Sequence, residues 1–155
     1  MKELKKTEDL QKIKKSDFSC LFFYAEGCPH CEDAKPIYEK LSKQMKDVDF
    51  FKLNAGTFPD VMDFYQQYAE FEQERETVMH DDQPLIVDGN VITKPVFNDD
   101  GTPKMTPVVS IPIFYIFAKS EIDEEDDEYG FVGKINGNMP EKLESVLKMF
   151  KEKLK

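Results

Sequence analysis

Apolar positions along this chain change period several times, and each change marks a predicted element. Residues 18–25, FSCLFFYA, form an unbroken, aromatic-rich apolar run. With no polar alternation, the run predicts a central strand buried on both faces. From 28 to about 46, Ala34, Ile37, Tyr38, Leu41 and Met45 recur at helical spacing, and Pro36 is expected to kink that helix. VDFFKLN at 48–54 predicts a second strand. PDVMDFYQQYAEFEQERETVM at 59–79 predicts a helix with Val61, Phe64, Tyr65, Tyr68 and Phe71 on one face. Residues 80–108 read as irregular. Within them Asp88-Gly89, between LIV and VIT, predicts a small hairpin, and NDDG at 98–101 another turn. IPIFYIFA at 111–118 is a third core strand, and YGFVGKI at 129–135 a fourth, antiparallel to it. Asn138 with Glu141 predicts a cap for a last helix, whose buried stripe is Leu143, Val146, Leu147, Phe150 and Leu154. Near the start, Thr7 is expected to cap a short helix with Glu8 and Asp9 in its first turn.

The order is strand, helix, strand, helix, strand, strand, helix. It predicts an α/β or α+β domain with a mixed sheet covered on both faces. With 155 residues, no internal repeat and no dividing linker, the chain reads as one domain over 1–155.

Charge narrows the function classes. A formal net charge of −10 argues against non-specific nucleic-acid binding, which needs cations to neutralise phosphates. The first residues, MKELKKTEDLQKIKK, contain no apolar core of a signal peptide, and IPIFYIFA is too short to span a bilayer as a helix. The chain is therefore expected to be cytoplasmic as it stands, or extracytoplasmic if a leader has been removed, with no membrane partner.

The candidate chemistry lies in FFYAEGCPHCEDAKP at 22–36, where Cys28 and Cys31 flank Pro29 and His30 at a strand-to-helix junction. Zinc, a structural disulfide and a reactive dithiol are the alternatives. Tetrahedral zinc favours two separated ligand pairs, and only Cys20, His30 and His80 could complete a site. A structural bridge would close a very small loop and so contribute little. A dithiol fits the helix N-terminus, whose free N–H groups and positive dipole end stabilise a thiolate. Cys28, nearest the junction, is then the low-pKa thiol and Cys31 the resolving one, with His30 adding a cation beside the thiolate. No metal and no other cofactor is expected.

These residues resemble the thioredoxin superfamily. The 22–36 segment is similar to that family's active-site segment, with an aromatic strand end, Ala-Glu, Cys-x-x-Cys and a proline five residues after the second cysteine. DFFKLN at 49–54 resembles the next family strand, including its lysine, Lys52. SIPIFYIF resembles the strand that opens with the family's cis-proline. FVGKINGNMPEKLESVLKMF resembles the last strand and helix. The resemblance covers roughly 5–56 and 108–152. It implies a thioredoxin-like fold with a mixed central sheet flanked by helices, and a helical and hairpin insertion over 57–107 ahead of the cis-proline strand. It also implies a thiol–disulfide oxidoreductase in which Cys28 attacks and Cys31 resolves, Pro29 and His30 tune the Cys28 pKa, and Ile111 and cis Pro112 bind an extended substrate segment. Expected partners are protein thiol or disulfide substrates and a reductase or oxidase, with the protein itself a monomer. The alternative is a thioredoxin-like adaptor whose insertion docks a partner.

The pattern departs from the family at three points. Phe22 stands where many members have a buried acid, which leaves Glu26 and Lys52 as the residues for proton transfer. Gly27 replaces the usual aromatic before the first cysteine. The Pro-His pair is typical of strongly oxidising Dsb-type members. Elsewhere, Cys20 reads as a buried small hydrophobe or a regulatory thiol, His80 as structural, and EIDEEDDE at 121–128 as a solvated loop without the ligand spacing of a calcium site.

Overall fold

The computed structural model describes residues 1–108 and 110–153, and Leu154 of the expected helix stripe lies outside them. The chain divides into two units, one of Met1–Phe64 with Ser110–Lys155 and one of Tyr65–Val109.

The first unit is built on a five-stranded sheet in the order β1-β3-β2-β12-β13. β1 (Lys2–Leu4), β3 (Asp49–Asn54) and β2 (Phe18–Tyr24) run parallel. β12 (Ile113–Ala118) runs antiparallel to β2, and β13 (Phe131–Asn136) antiparallel to β12. Every residue of β2 and of β12 is buried, as an unbroken apolar run requires of strands covered on both faces. On one face, Cys20, Phe22 and Tyr24 of β2 and Phe114 of β12 form a core with Tyr38 and Leu41 of α2 (Pro29–Gln44) and Leu143 and Leu147 of α4 (Leu143–Lys153). The Tyr38 hydroxyl sits 2.8 Å from the Cys20 carbonyl oxygen and 2.5 Å from that of Phe51, so a polar tip is satisfied inside an apolar layer. On the other face, Phe23 stacks on Phe64 at 6.1 Å between centroids and meets Tyr115 edge-on at 4.8 Å. Phe117, Tyr129 and Phe131 extend this aromatic layer.

Two expected helix caps are replaced. A 3-10 turn at Thr7–Leu10 leads into α1 (Gln11–Lys15), and it is Asp9, not Thr7, that folds back over the chain, accepting from the Lys5 and Lys6 amides at 2.9 and 3.2 Å. A carboxylate is the stronger acceptor there. Its acceptor bonds hold the Asp9 carboxyl below the usual range. Before α4, Asn138 donates its amide to Asn136 Oδ1 at 2.9 Å, and the N-cap position falls to Met139 instead. A 3-10 turn at Pro140–Lys142 opens the helix, and its proline has no N–H to satisfy.

The bend between β12 and β13 is tied by Asp127, whose carboxylate accepts from the amides of Tyr129, Gly130 and Phe131. Gly130 has φ +77, and a Cβ there would lie 2.2 Å from the Ala118 carbonyl oxygen, so the position admits only glycine.

The second unit departs most from the sequence reading. The helix expected over 59–79 ends early: α3 covers Val61–Tyr65 only. Beyond it the chain forms β4 (Phe71–Gln73), β5 (Arg75–Thr77) and β6 (Met79–His80). In a helix, Glu70 would face Glu74 and Glu72 would face Glu76, like charges one turn apart. As strand, the segment pairs with later chain. β7 (Gln83–Pro84) pairs β6, β8 (Ile86–Val87) pairs β9 (Asn90–Val91), β10 (Thr93–Pro95) pairs β5 and β11 (Met105–Pro107) pairs β4, all antiparallel. The expected turns are present: Asp88 and Gly89 take φ of 53 and 81, and Gly101 donates to the Asn98 carbonyl at 3.0 Å.

Two closed rings of main-chain bonds join these strands. Val78 donates to Ile92, Ile92 to Leu85 and Leu85 back to Val78, each at 2.9 Å. Glu74 donates to Lys104 at 2.7 Å, Lys104 to Val96 at 3.1 Å and Val96 back to Glu74 at 2.8 Å. Val78, Leu85 and Ile92 are half-buried, whereas the residues around them are mostly exposed.

Candidate functional site

β2 delivers the chain to the site. After Tyr24 it turns through Gly27, at φ +75, and Cys28 becomes the N-cap of α2, with Pro29 in the first helical position. A proline there is pre-set for the helix and lacks the N–H that would need a partner. Cys28 and Cys31 are joined by a disulfide, their Cα atoms 5.2 Å apart. The Cys31 amide points at Cys28 Sγ from 3.2 Å, and the Glu32 amide donates to the Cys28 carbonyl. The two sulfurs are not equivalent. Cys28 is half-buried against the rim of the core, while Cys31 is fully buried within it.

The start of β12 lies alongside. Ile113 is registered with Phe23, so Ile111 and Pro112, just before it, run beside the stretch that carries β2 into Cys28. Ile111 packs on the same core rim as Cys28. The Ile111–Pro112 bond is cis, and the Pro112 carbonyl accepts from the Gly137 amide at 2.9 Å. Among the described residues, the amide and carbonyl of Ile111 have no backbone partner.

The other sequence candidates do not converge on the pair. Pro29, His30 and Glu26 are exposed. Lys52 is half-buried on β3, registered with Phe22, with its ammonium 6.0 Å from the centre of the Tyr24 ring. Cys20 is buried, and burial raises its thiol pKa to about 12. His80 lies in the second unit, exposed beside Asp81. Among the described residues, no group of three or more His, Cys, Asp or Glu side chains is placed to hold a metal ion, and no helix is long and apolar enough to cross a membrane.

Tyr24 was not singled out by sequence. Its hydroxyl donates to Glu3, and Lys35 lies 4.9 Å over its ring. Burial first, then the Glu3 hydrogen bond and the charges of Glu3 and Glu26, push its pKa up. Glu3 belongs to β1, a strand with one buried residue and no periodic signal. Without β1, nothing in the sequence brings Glu3 to Tyr24.

A family model described as Thioredoxin matches residues 1–69. The mitochondrial Thioredoxin-2 of Schizosaccharomyces pombe is 40% identical over 47 residues, a match covering 30% of this chain and 35% of that protein. The chain thus spans about a third of the length of the curated relative it matches. Among solved structures, a Plasmodium falciparum thioredoxin superposes with a TM-score of 0.60 at 14% identity, over 97% of this chain and 99% of the other. Mitochondrial thioredoxin 3 of Saccharomyces cerevisiae, in its oxidized form, superposes at 0.57 and 21% identity, over 96% and 94%. At such identities the likeness is one of fold: a mixed central sheet with flanking helices.

Proposed function

We propose that this chain is a member of the thioredoxin superfamily and a thiol–disulfide oxidoreductase that exchanges disulfides with protein substrates through Cys28 and Cys31. The observation that carries this reading is the asymmetry of the pair: one cysteine at the helix N-cap and half-buried, the other fully buried one turn in. In the reducing direction, the Cys28 thiolate attacks one sulfur of a substrate disulfide and expels the other as a thiolate. Cys31, as thiolate, then attacks Cys28 Sγ and releases the second substrate sulfur. Two electrons pass to the substrate and the Cys28–Cys31 disulfide forms. Run backward, the same steps oxidise a substrate dithiol, and direction follows the couple's potential against its compartment.

Three features support the role of Cys28. The Cys31 amide lies at hydrogen-bond distance from its sulfur, the helix end favours negative charge, and Pro29 and His30 occupy the first turn. In this scheme the unpaired backbone of Ile111 binds an extended substrate segment beside Pro112, and Glu26 and Lys52 carry the Cys31 proton.

Reduction of insulin, with dithiothreitol as the terminal donor, tests the reading. Wild type should accelerate it and Cys28→Ser should abolish the acceleration. Equal rates would sink the enzyme. Iodoacetamide at about pH 6 tests the roles: the reduced protein should be labelled at Cys28 first, and preferential labelling of Cys31 or Cys20 would reverse the assignment. The second reading, an adaptor whose 57–107 insertion docks a partner, is favoured by the apolar side chains exposed on that insertion.

A further inference from the structure

The end of the second unit combines two properties that soluble surfaces normally keep apart. Met79, Ile86, Val87 and Val91 are exposed by 56, 59, 48 and 52%. They sit on two tight hairpins, β6–β7 and β8–β9, beyond the ring of bonds at Val78, Leu85 and Ile92. Ile86 and Val91 are direct cross-strand partners, so both lie on one face of their hairpin. Single exposed apolar residues need no explanation, but a cluster of them marks a surface that meets something.

Charge says what it meets. Residues 79–91 hold three carboxylates, Asp81, Asp82 and Asp88, and no lysine or arginine. All three aspartates sit at the hairpin turns with positive φ, and all three are exposed. The cations of the unit lie elsewhere: Lys94 pairs with Glu76, Lys104 with Glu74, and Arg75 donates to Thr93. Two stem glutamates are thus paired with lysines, whereas the tip's three aspartates share one titratable neighbour, His80 at 3.4 Å from Asp81, and the tip stays net negative. A second copy of the same tip would bring like charges together, and anionic lipid or nucleic acid would be repelled. What satisfies both properties is a polypeptide surface on which lysine or arginine flanks exposed aliphatic side chains.

We propose that the two hairpins at 79–91 form a docking surface for a basic, aliphatic protein segment. Met79, Ile86 and Val91 supply the apolar contact, and Asp81, Asp82 and Asp88 supply the charge. The surface is independent of the dithiol and holds whether or not Cys28 is catalytic.

The test uses the full chain and a short synthetic peptide alternating lysine with valine, followed by isothermal titration. Two controls replace all lysines with glutamate, or all valines with serine. Two variants separate the contributions. Met79→Gln/Ile86→Thr/Val91→Thr removes the apolar groups while keeping β-formers on the β8–β9 hairpin. Asp81→Asn/Asp82→Asn/Asp88→Asn removes charge while keeping residues that tolerate positive φ. The lysine–valine peptide should bind the wild type, more weakly as salt rises, and each variant should weaken binding by about tenfold or more. Neither control peptide should bind within tenfold of it, and insulin reduction should be unchanged in both variants. No binding up to about 1 mM peptide would overturn the proposal. Equal binding by the variants would overturn it as well, as would equal binding of the glutamate peptide. Self-association of the wild type that the apolar variant abolishes would assign the surface to a second copy and overturn it too.

Discussion

The two units are held together by different atoms. In the first, side chains do the work: β2 and β12 bury every residue, and aromatic rings fill both faces of the sheet. In the second, the main chain does it. Two rings of three hydrogen bonds join eight short strands, and Phe71, Met79, Ile86, Val87, Val91, Phe97 and Met105 all remain exposed. Side-chain burial makes stability sensitive to residue identity, because each buried group carries transfer and packing energy. Main-chain closure makes it depend chiefly on backbone conformation, with Arg75–Thr93 and two lysine–glutamate pairs as added side-chain ties. The chain thus pairs a unit whose sequence is tightly constrained with one whose sequence is loosely constrained.

The largest effect should come from emptying the first core. Phe114 is fully buried and stacks on Phe22 and Tyr38. Phe114→Ala should cost about 3–5 kcal/mol in urea unfolding, whereas Phe97→Ala, at a side chain 55% exposed, should cost less than about 0.5 kcal/mol. Comparable losses would erase the contrast between the units. Glycine gives a second, smaller contrast. Gly130→Ala drives a Cβ into the Ala118 carbonyl and should cost about 2–3 kcal/mol, whereas Gly89, also at positive φ, faces open space. Gly89→Asn should cost under about 1 kcal/mol, since asparagine tolerates that conformation.

The smallest effect is a pH dependence confined to the first unit. Burial raises the Cys20 thiol from an ordinary value of 9.0 to about 12. The folded state therefore keeps a proton that the unfolded chain loses first as pH rises. Below pH 9 this contribution is fully present; it is lost progressively between about 9 and 12. Between about pH 9 and 10, Cys20→Ala should lose about 1 kcal/mol less stability than wild type, measured by urea unfolding of the two proteins side by side. Parallel pH profiles would show that Cys20 is not shielded as its position implies.

What could be read in advance follows the same division. β2, α2, β12, β13 and the stripe of α4 announced themselves because buried elements write their period in apolar residues. The Cys28–Cys31 pair was legible because it sits at the junction of two such elements. β1 was not, since its pairing with β3 rests on main-chain bonds and one buried leucine. The stretch after Tyr65 was misread as helix because Glu, Gln and Arg are good helix formers. One strand-like cue is present all the same: Glu70, Glu72, Glu74 and Glu76 recur at every second residue. The partners of that strand, at 93–95 and 105–107, are too distant in sequence for local propensity to register. Tyr24 stayed hidden for the reason β1 did, because Glu3 reaches it only through the folded sheet.

The rings at Glu74, Val96 and Lys104 and at Val78, Leu85 and Ile92 carry a consequence for how such a protein can change over time. Every bond in them joins an amide to a carbonyl, groups that all residues but proline possess in full. Mutations along the stem therefore leave its wiring intact so long as they avoid proline, and so do substitutions in the hairpins beyond it. The second unit is in that sense an interchangeable head. One lineage could retune whatever it grips, by substitution at 79–91 alone, while the cysteine-bearing unit stays as it is.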